Sequence, residues 1–203
     1  MVGGSWELIS RVRLFVAIEI GEELRRELSR TLDELKRRIE QSAPHARVTW
    51  VTPEQLHLTV RFIGQADAEG CQKVLASLAR PLAVPAFELA IENTGTFPPK
   101  RPPRVIWAGI SRGLEPLRAL EHEVRGRLDA IIPPGDDREY HPHLTLGRVK
   151  NPAGLRPAVL LEGLERAVFG PVRVDAVTLF ESRLSPKGPT YIALGRSPLA
   201  RTP

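Results

Sequence analysis

A single cysteine in 203 residues rules out an internal disulfide framework and any multi-cysteine metal site. That residue, Cys71, falls in the helical run AEGCQKVLASLA, where a buried structural thiol is expected. A nucleophilic role would need a neighbouring base, and the sequence offers none. Long apolar runs are missing as well. The N-terminal stretch MVGGSWELISRVRLFVAIEI contains only the five-residue run LFVAI, far short of a secretory or membrane-spanning segment. A cytoplasmic chain without a membrane anchor is expected, with residues 1–10 as an irregular leader outside the fold. There is no Gly-rich phosphate loop followed by Lys-Ser/Thr, and no nucleophile elbow. Histidine is scarce, at five residues.

What is present suits one globular unit over residues 11–199, and a monomer is the default expectation. Hydrophobic residues make up 42% and charged residues 26%, an ordinary balance for a folded domain. The net charge of +5 favours polyanionic partners.

Arg13–Ile18 reads as a buried strand. From Glu22 to about Gln41, leucines 24, 28, 32 and 35 and Ile39 form the stripe of an amphipathic helix, with arginines on the solvated face. Strands are expected at Val48–Val51, His57–Ile63, Phe87–Thr96 and Arg104–Gly109, and helices over Asp67–Leu82 and Leu114–Ile131. Strands at Val172–Leu179 and Thr190–Gly195 follow an irregular stretch at Asn151–Gly163. The Pro-rich loop FPPKRPPR carries Lys100, Arg101 and Arg104 on a stiff connection. This order predicts an α+β fold with two mostly antiparallel sheets, flanking helices and a central cleft.

Two of the five histidines share one phrase, LHLTV at 56–60 and PHLTL at 142–146, which hints at an internal duplication. On a strand, residues i and i+2 share a face, so His57 projects with Thr59 and His143 with Thr145, while Leu58 and Leu144 point into a core. Two imidazoles and two hydroxyls on one surface suffice for acid–base cleavage of a phosphodiester. One ring takes a proton from the attacking oxygen, the other protonates the leaving oxygen, and the hydroxyls bind phosphate. Arg61 has the parity of His57 and would extend that face. Arg148 has the parity opposite to His143 and would need a bulge to reach it. Trp50 is favoured over Phe62 for stacking a terminal base, because Phe62 has core parity. A metal alternative would use His57, His141 and His143 with Asp136, Asp137 or Glu139, but no carboxylate lies beside either phrase. His45 and His122 read as surface residues.

The two His-x-Thr-x phrases resemble those of the 2H phosphoesterase superfamily. Together with RLFVAIEI, VTPEQLHLTVRFIG, FPPKRPPRVIWAGI, HPHLTLGRV and LFESRLSPKGPTYIAL, they make the chain similar to the bacterial and archaeal RNA 2′,3′-cyclic phosphodiesterases, historically called 2′–5′ RNA ligases. The resemblance implies a bilobed fold with one phrase per lobe, no metal and no cofactor. It implies hydrolysis of a terminal RNA 2′,3′-cyclic phosphate to a 2′-phosphate, with reversible 2′–5′ end joining, on tRNA fragments or 2′–5′-linked oligonucleotides. It also implies His57 as general acid, His143 as general base, and Thr59, Thr145 and Arg148 on the phosphate. Tyr191 and Ser182 match the family's tail. The competing expectation is a protein that binds RNA ends without turnover.

Overall fold

The computed structural model describes residues 11–99, 102–133, 139–185 and 188–201. The expected leader, Lys100 and Arg101 of the basic loop, and Asp136 and Asp137 lie outside them. The described elements run in the order β1 (Val12–Glu19), α1 (Glu22–Ser42), β2 (Arg47–Trp50), β3 (His57–Ala66), α2 (Ala68–Leu78), β4 (Leu82–Pro85), β5 (Phe87–Phe97), β6 (Val105–Arg112), α3 (Leu114–Leu128), β7 (Leu144–Asn151), α4 (Pro157–Leu161), β8 (Val168–Val174), β9 (Ala176–Ser185) and β10 (Gly188–Ala200). A 3-10 turn, Pro53–Gln55, leads into β3.

The two expected sheets are joined into one hydrogen-bonded path, β4-β10-β9-β1-β3-β7-β6-β5-β8, with β2 pairing beside β3 on the far end of β7. All pairings in it are antiparallel except β10 with β4. The joint between the halves is narrow: β3 and β7 pair only at Leu58↔Leu144. The stretch expected as one strand, Val172–Leu179, is split at Asp175 into β8 at one edge of the path and β9 within the other half. One residue spans under about 4 Å. The sheet must therefore curl until β8 and β9 meet end to end.

Helices cover one face of the sheet in a crossed arrangement. α1, which follows β1, packs with α4 and β8 of the other half, whereas α2 and α3 pack on β3, β4 and β10 of the first. The leucine stripe of α1 is buried along its length, with Leu28 and Leu35 wholly inaccessible. Its basic face is tied into i,i+3 and i,i+4 ion pairs with Glu22, Glu27 and Glu34. Helix α2 starts at Asp67, whose side chain accepts from the Gly70 N–H at 2.8 Å, as an N-cap should. Cys71 is half-buried against the core, and burial pushes its thiol pKa up. No described helix is long and apolar enough to cross a membrane.

Candidate active site

The site is built where the two halves meet. Leu58 and Leu144 are buried against the helices and face each other across the antiparallel joint. That register sets His57 across from Thr145 and Thr59 across from His143, on the sheet face away from the helices.

Both imidazoles are fixed in the same way. His57 Nδ1 lies 2.7 Å from the carbonyl oxygen of Gln55, and His143 Nδ1 lies 2.7 Å from that of His141. A carbonyl can only accept, so each Nδ1 carries the hydrogen and each Nε2 is the nitrogen free to exchange a proton. Nε2 of His57 is 3.1 Å from Thr59 Oγ1. Each ring also leans on a phenylalanine: Phe15 with His57 at 5.0 Å between centroids, and Phe97 with His143 at 5.2 Å. Tyr191 meets His57 edge-on at 5.2 Å, and Ser182 pairs across from Tyr191 on the neighbouring strand.

Burial among these rings lowers the pKa of both histidines, opposed by the hydrogen bond each Nδ1 makes. The positive field of Arg148 lowers both further, as does the second imidazole for His57 and the His141 ring for His143. Arg148 therefore sits within electrostatic reach of both rings. It forms no ion pair among the described residues.

How Arg148 gets there is a matter of backbone register. Along β7, Thr145 pairs with Trp107 and Gly147 with Ile106, so Leu146 is an extra residue. That bulge turns both Leu146 and Gly147 toward the helices and restores Arg148 to the face of His143 and Thr145. The same irregularity occurs in β3. Thr59 pairs with Ala17 and Arg61 with Val16, which makes Val60 the extra residue. Both bulges fall three residues after the histidine.

The bulge in β3 reverses two sequence expectations. Arg61 is carried to the helix side, where its Nη2 binds Asp129 Oδ1 at 2.6 Å at the end of α3. Phe62 is carried to the histidine face, where it is 58% exposed with its ring 6.1 Å from Phe15. Trp50 is not brought to that face either. It pairs with Gly147 and packs over it on the α1 side, so that a Cβ at Gly147 would lie 2.9 Å from the indole.

Several residues of the site carry no signal in the sequence. Phe15 and Phe97 look there like ordinary strand residues. Tyr140, in an expected loop, is largely buried and donates its hydroxyl to the Thr59 carbonyl at 3.1 Å, which ties the approach to the second phrase onto the first. Gln55 donates Nε2 to the Pro189 carbonyl while its own carbonyl holds His57. Among the described residues no three His, Cys, Asp or Glu side chains are placed to hold a metal. His45 and His122 are exposed.

The chain is similar to other proteins over nearly its whole length. A protein of Thermus thermophilus named RNA 2′,3′-cyclic phosphodiesterase is 38% identical over 90% of this chain and 88% of its own. One of the same name from Methanothermobacter thermautotrophicus is 34% identical over 89% of this chain and 95% of its own. The crystal structure of the T. thermophilus protein TT0787 superposes with a TM-score of 0.72, at 31% identity, over 92% of this chain and 97% of that one. The family model of the 2′-5′ RNA ligase superfamily matches residues 24–185, from the first helix to the last hairpin, and the chain belongs to that superfamily.

Proposed function

We propose that this protein hydrolyses the 2′,3′-cyclic phosphate at an RNA terminus to a 2′-phosphate, with the two histidines as acid and base and without a metal. The observation that carries this reading is the matched pair of imidazoles, each with Nδ1 committed to a carbonyl and Nε2 free to exchange a proton, beside an arginine that has no ion pair among the described residues. The relatives' shared name supports the substrate class. In the reaction, His143 Nε2 takes a proton from water as the water oxygen bonds to phosphorus. The P–O3′ bond breaks, and His57 in its imidazolium form gives its Nε2 proton to O3′. One water is consumed, leaving a 2′-phosphomonoester and a free 3′-hydroxyl. Thr59, Thr145 and Arg148 bind the non-bridging oxygens, where charge stabilisation contributes most. The terminal base stacks on Phe62 rather than on Trp50.

If the 5′-hydroxyl of a second RNA replaces water, the same steps produce a 2′–5′ linkage, which makes end joining the same chemistry with another nucleophile. We read the two halves as diverged copies of one unit, each contributing a lobe to the cleft.

The test is a short RNA ending in a 2′,3′-cyclic phosphate, incubated with the protein in excess EDTA. Opening to a 2′-phosphate is expected, and loss of about 10²–10⁴-fold in His57→Ala and in His143→Ala. Activity that needs added Zn²⁺ or Mn²⁺ would overturn the metal-free mechanism. Tight, salt-sensitive RNA binding with no turnover under either condition would make the protein an RNA-end binder.

A further inference from the structure

Where β5 ends and β6 begins, beside the last residues of β7, the surface opens into a groove of about 700 Å³. Its walls are Pro98, Pro102, Pro103 and Pro152, and its charged residues are Arg104 and Lys150. No carboxylate lines it among the described residues. We propose that this groove holds the RNA chain on the 5′ side of the reacting terminus, so that the protein distinguishes an oligonucleotide from a mononucleotide; this rests on the function proposed above.

Three observations support it. First, two strands lead from the site to the groove. Phe97, which abuts the His143 ring, is followed directly by Pro98, and the histidine face of β7 steps from Thr145 over the bulge to Arg148 and then Lys150. A single strand anchored by its terminal phosphate near Arg148 therefore has a cationic path leading away. Second, both cations are exposed and neither forms an ion pair among the described residues. The basic side chains of α1 and α3, by contrast, are widely neutralised by glutamates of their own helices. Cations left without acids are the footprint of a polyanion. Third, the walls are stiff. Proline fixes its own backbone and offers no N–H, so the groove loses little conformational freedom when filled. Arg104 is braced as well: its N–H donates to the Phe97 carbonyl at 2.7 Å and its carbonyl accepts from Val149 at 2.8 Å.

The experiment compares adenosine 2′,3′-cyclic phosphate with a hexanucleotide ending in the same cyclic phosphate, for the native protein and for the double variant Arg104→Ala, Lys150→Ala. The native protein should prefer the hexanucleotide in kcat/KM. The variant should lose most of that preference, on the order of tenfold, while keeping its rate on the mononucleotide. Its dependence of log kcat/KM on log salt should flatten by about 0.7 for each phosphate contact removed. Equal losses on both substrates, or no loss on either, would overturn the inference. Binding of the 2′-phosphorylated hexanucleotide, followed by fluorescence anisotropy, gives a readout that needs no turnover. Weakened binding in the variant supports the groove even if the proposed reaction fails, and unchanged binding sinks it even if the reaction stands.

Discussion

His57 and His143 are held alike. Each gives its Nδ1 hydrogen to a carbonyl two residues back, leans on a phenylalanine, and is followed at the third residue by a bulge. The residues those bulges turn toward the site differ: Phe62 in the first strand, Arg148 in the second. The residues turned away differ too, Arg61 against Gly147. The backbone device is common to both halves and the side chains it presents are not. The first half sets Phe15, Phe62, Phe180 and Tyr191 around its histidine, with Arg13 near Tyr191, and the second sets Phe97 and the charge of Arg148, which no described acid compensates.

The largest expected effect is on the charged side. Arg148→Ala should lower kcat/KM by about a hundredfold, the usual cost of losing a donor to a charged transition state. It should also move the pH profile. In the proposed mechanism one imidazole is neutral and the other protonated, so kcat/KM should be bell-shaped. Burial and Arg148 depress both titrations, which belong to the pair rather than to either ring, so the bell of the native protein should centre below the unperturbed histidine value of about 6.5. A neighbouring cation disfavours protonation and lowers a pKa; its removal raises the pKa. The variant's bell should therefore shift to higher pH. A rate loss with an unmoved bell would mean that Arg148 does not face the two rings as a charge.

A smaller effect is expected on the aromatic side. Base stacking on a single ring contributes about 1–3 kcal/mol. Phe62→Ala should therefore raise KM with kcat largely preserved, because the ring is exposed and its loss opens no cavity. Trp50→Ala should do the reverse, weakening the fold by uncovering the backbone at Gly147 and leaving KM alone. If Trp50→Ala raised KM and Phe62→Ala did not, the terminal base would stack on Trp50 and not on Phe62.

Much of the fold can be read from the sequence. The α1 stripe, the strand assignments around both phrases and the inward leucines follow from periodicity, which depends only on which side chains are apolar. What periodicity does not carry is the count of residues between pairings. Parity from His57 sends Arg61 to the site and Phe62 to the core, and one extra residue at Val60 exchanges them. β3 carries no glycine or proline at that point to mark the bulge. β7 does carry such a mark: Gly147, an isolated glycine in a strand pattern, is where a bulge would be suspected. The sheet curl is hidden for a similar reason. The break at Asp175 interrupts a run that is apolar on both sides, and only the pairing partners reveal that the chain changes halves there.

The smallest kinetic effect is expected at Arg61, and it isolates the role of the bulge. Arg61 and Arg148 each lie within a few residues of a His-Leu-Thr phrase, so by sequence distance their removal should have similar consequences. The structure separates them by a sheet. Arg61 is 11% exposed and bound to Asp129, which is 28% exposed. Arg61→Met keeps most of the side-chain volume and leaves that carboxylate without its partner. The cost should lie between the limits for exposed and buried pairs, on the order of 1–3 kcal/mol, seen as a lower urea midpoint with an unchanged slope. Neither kcat/KM nor its pH profile should move. The double variant Arg61→Met, Asp129→Asn should recover part of the stability, since it removes the stranded charge along with the cation. Loss of activity in Arg61→Met at full stability would place the guanidinium back on the histidine face, and would mean that β3 runs to Phe62 without the bulge that divides the two strands' roles.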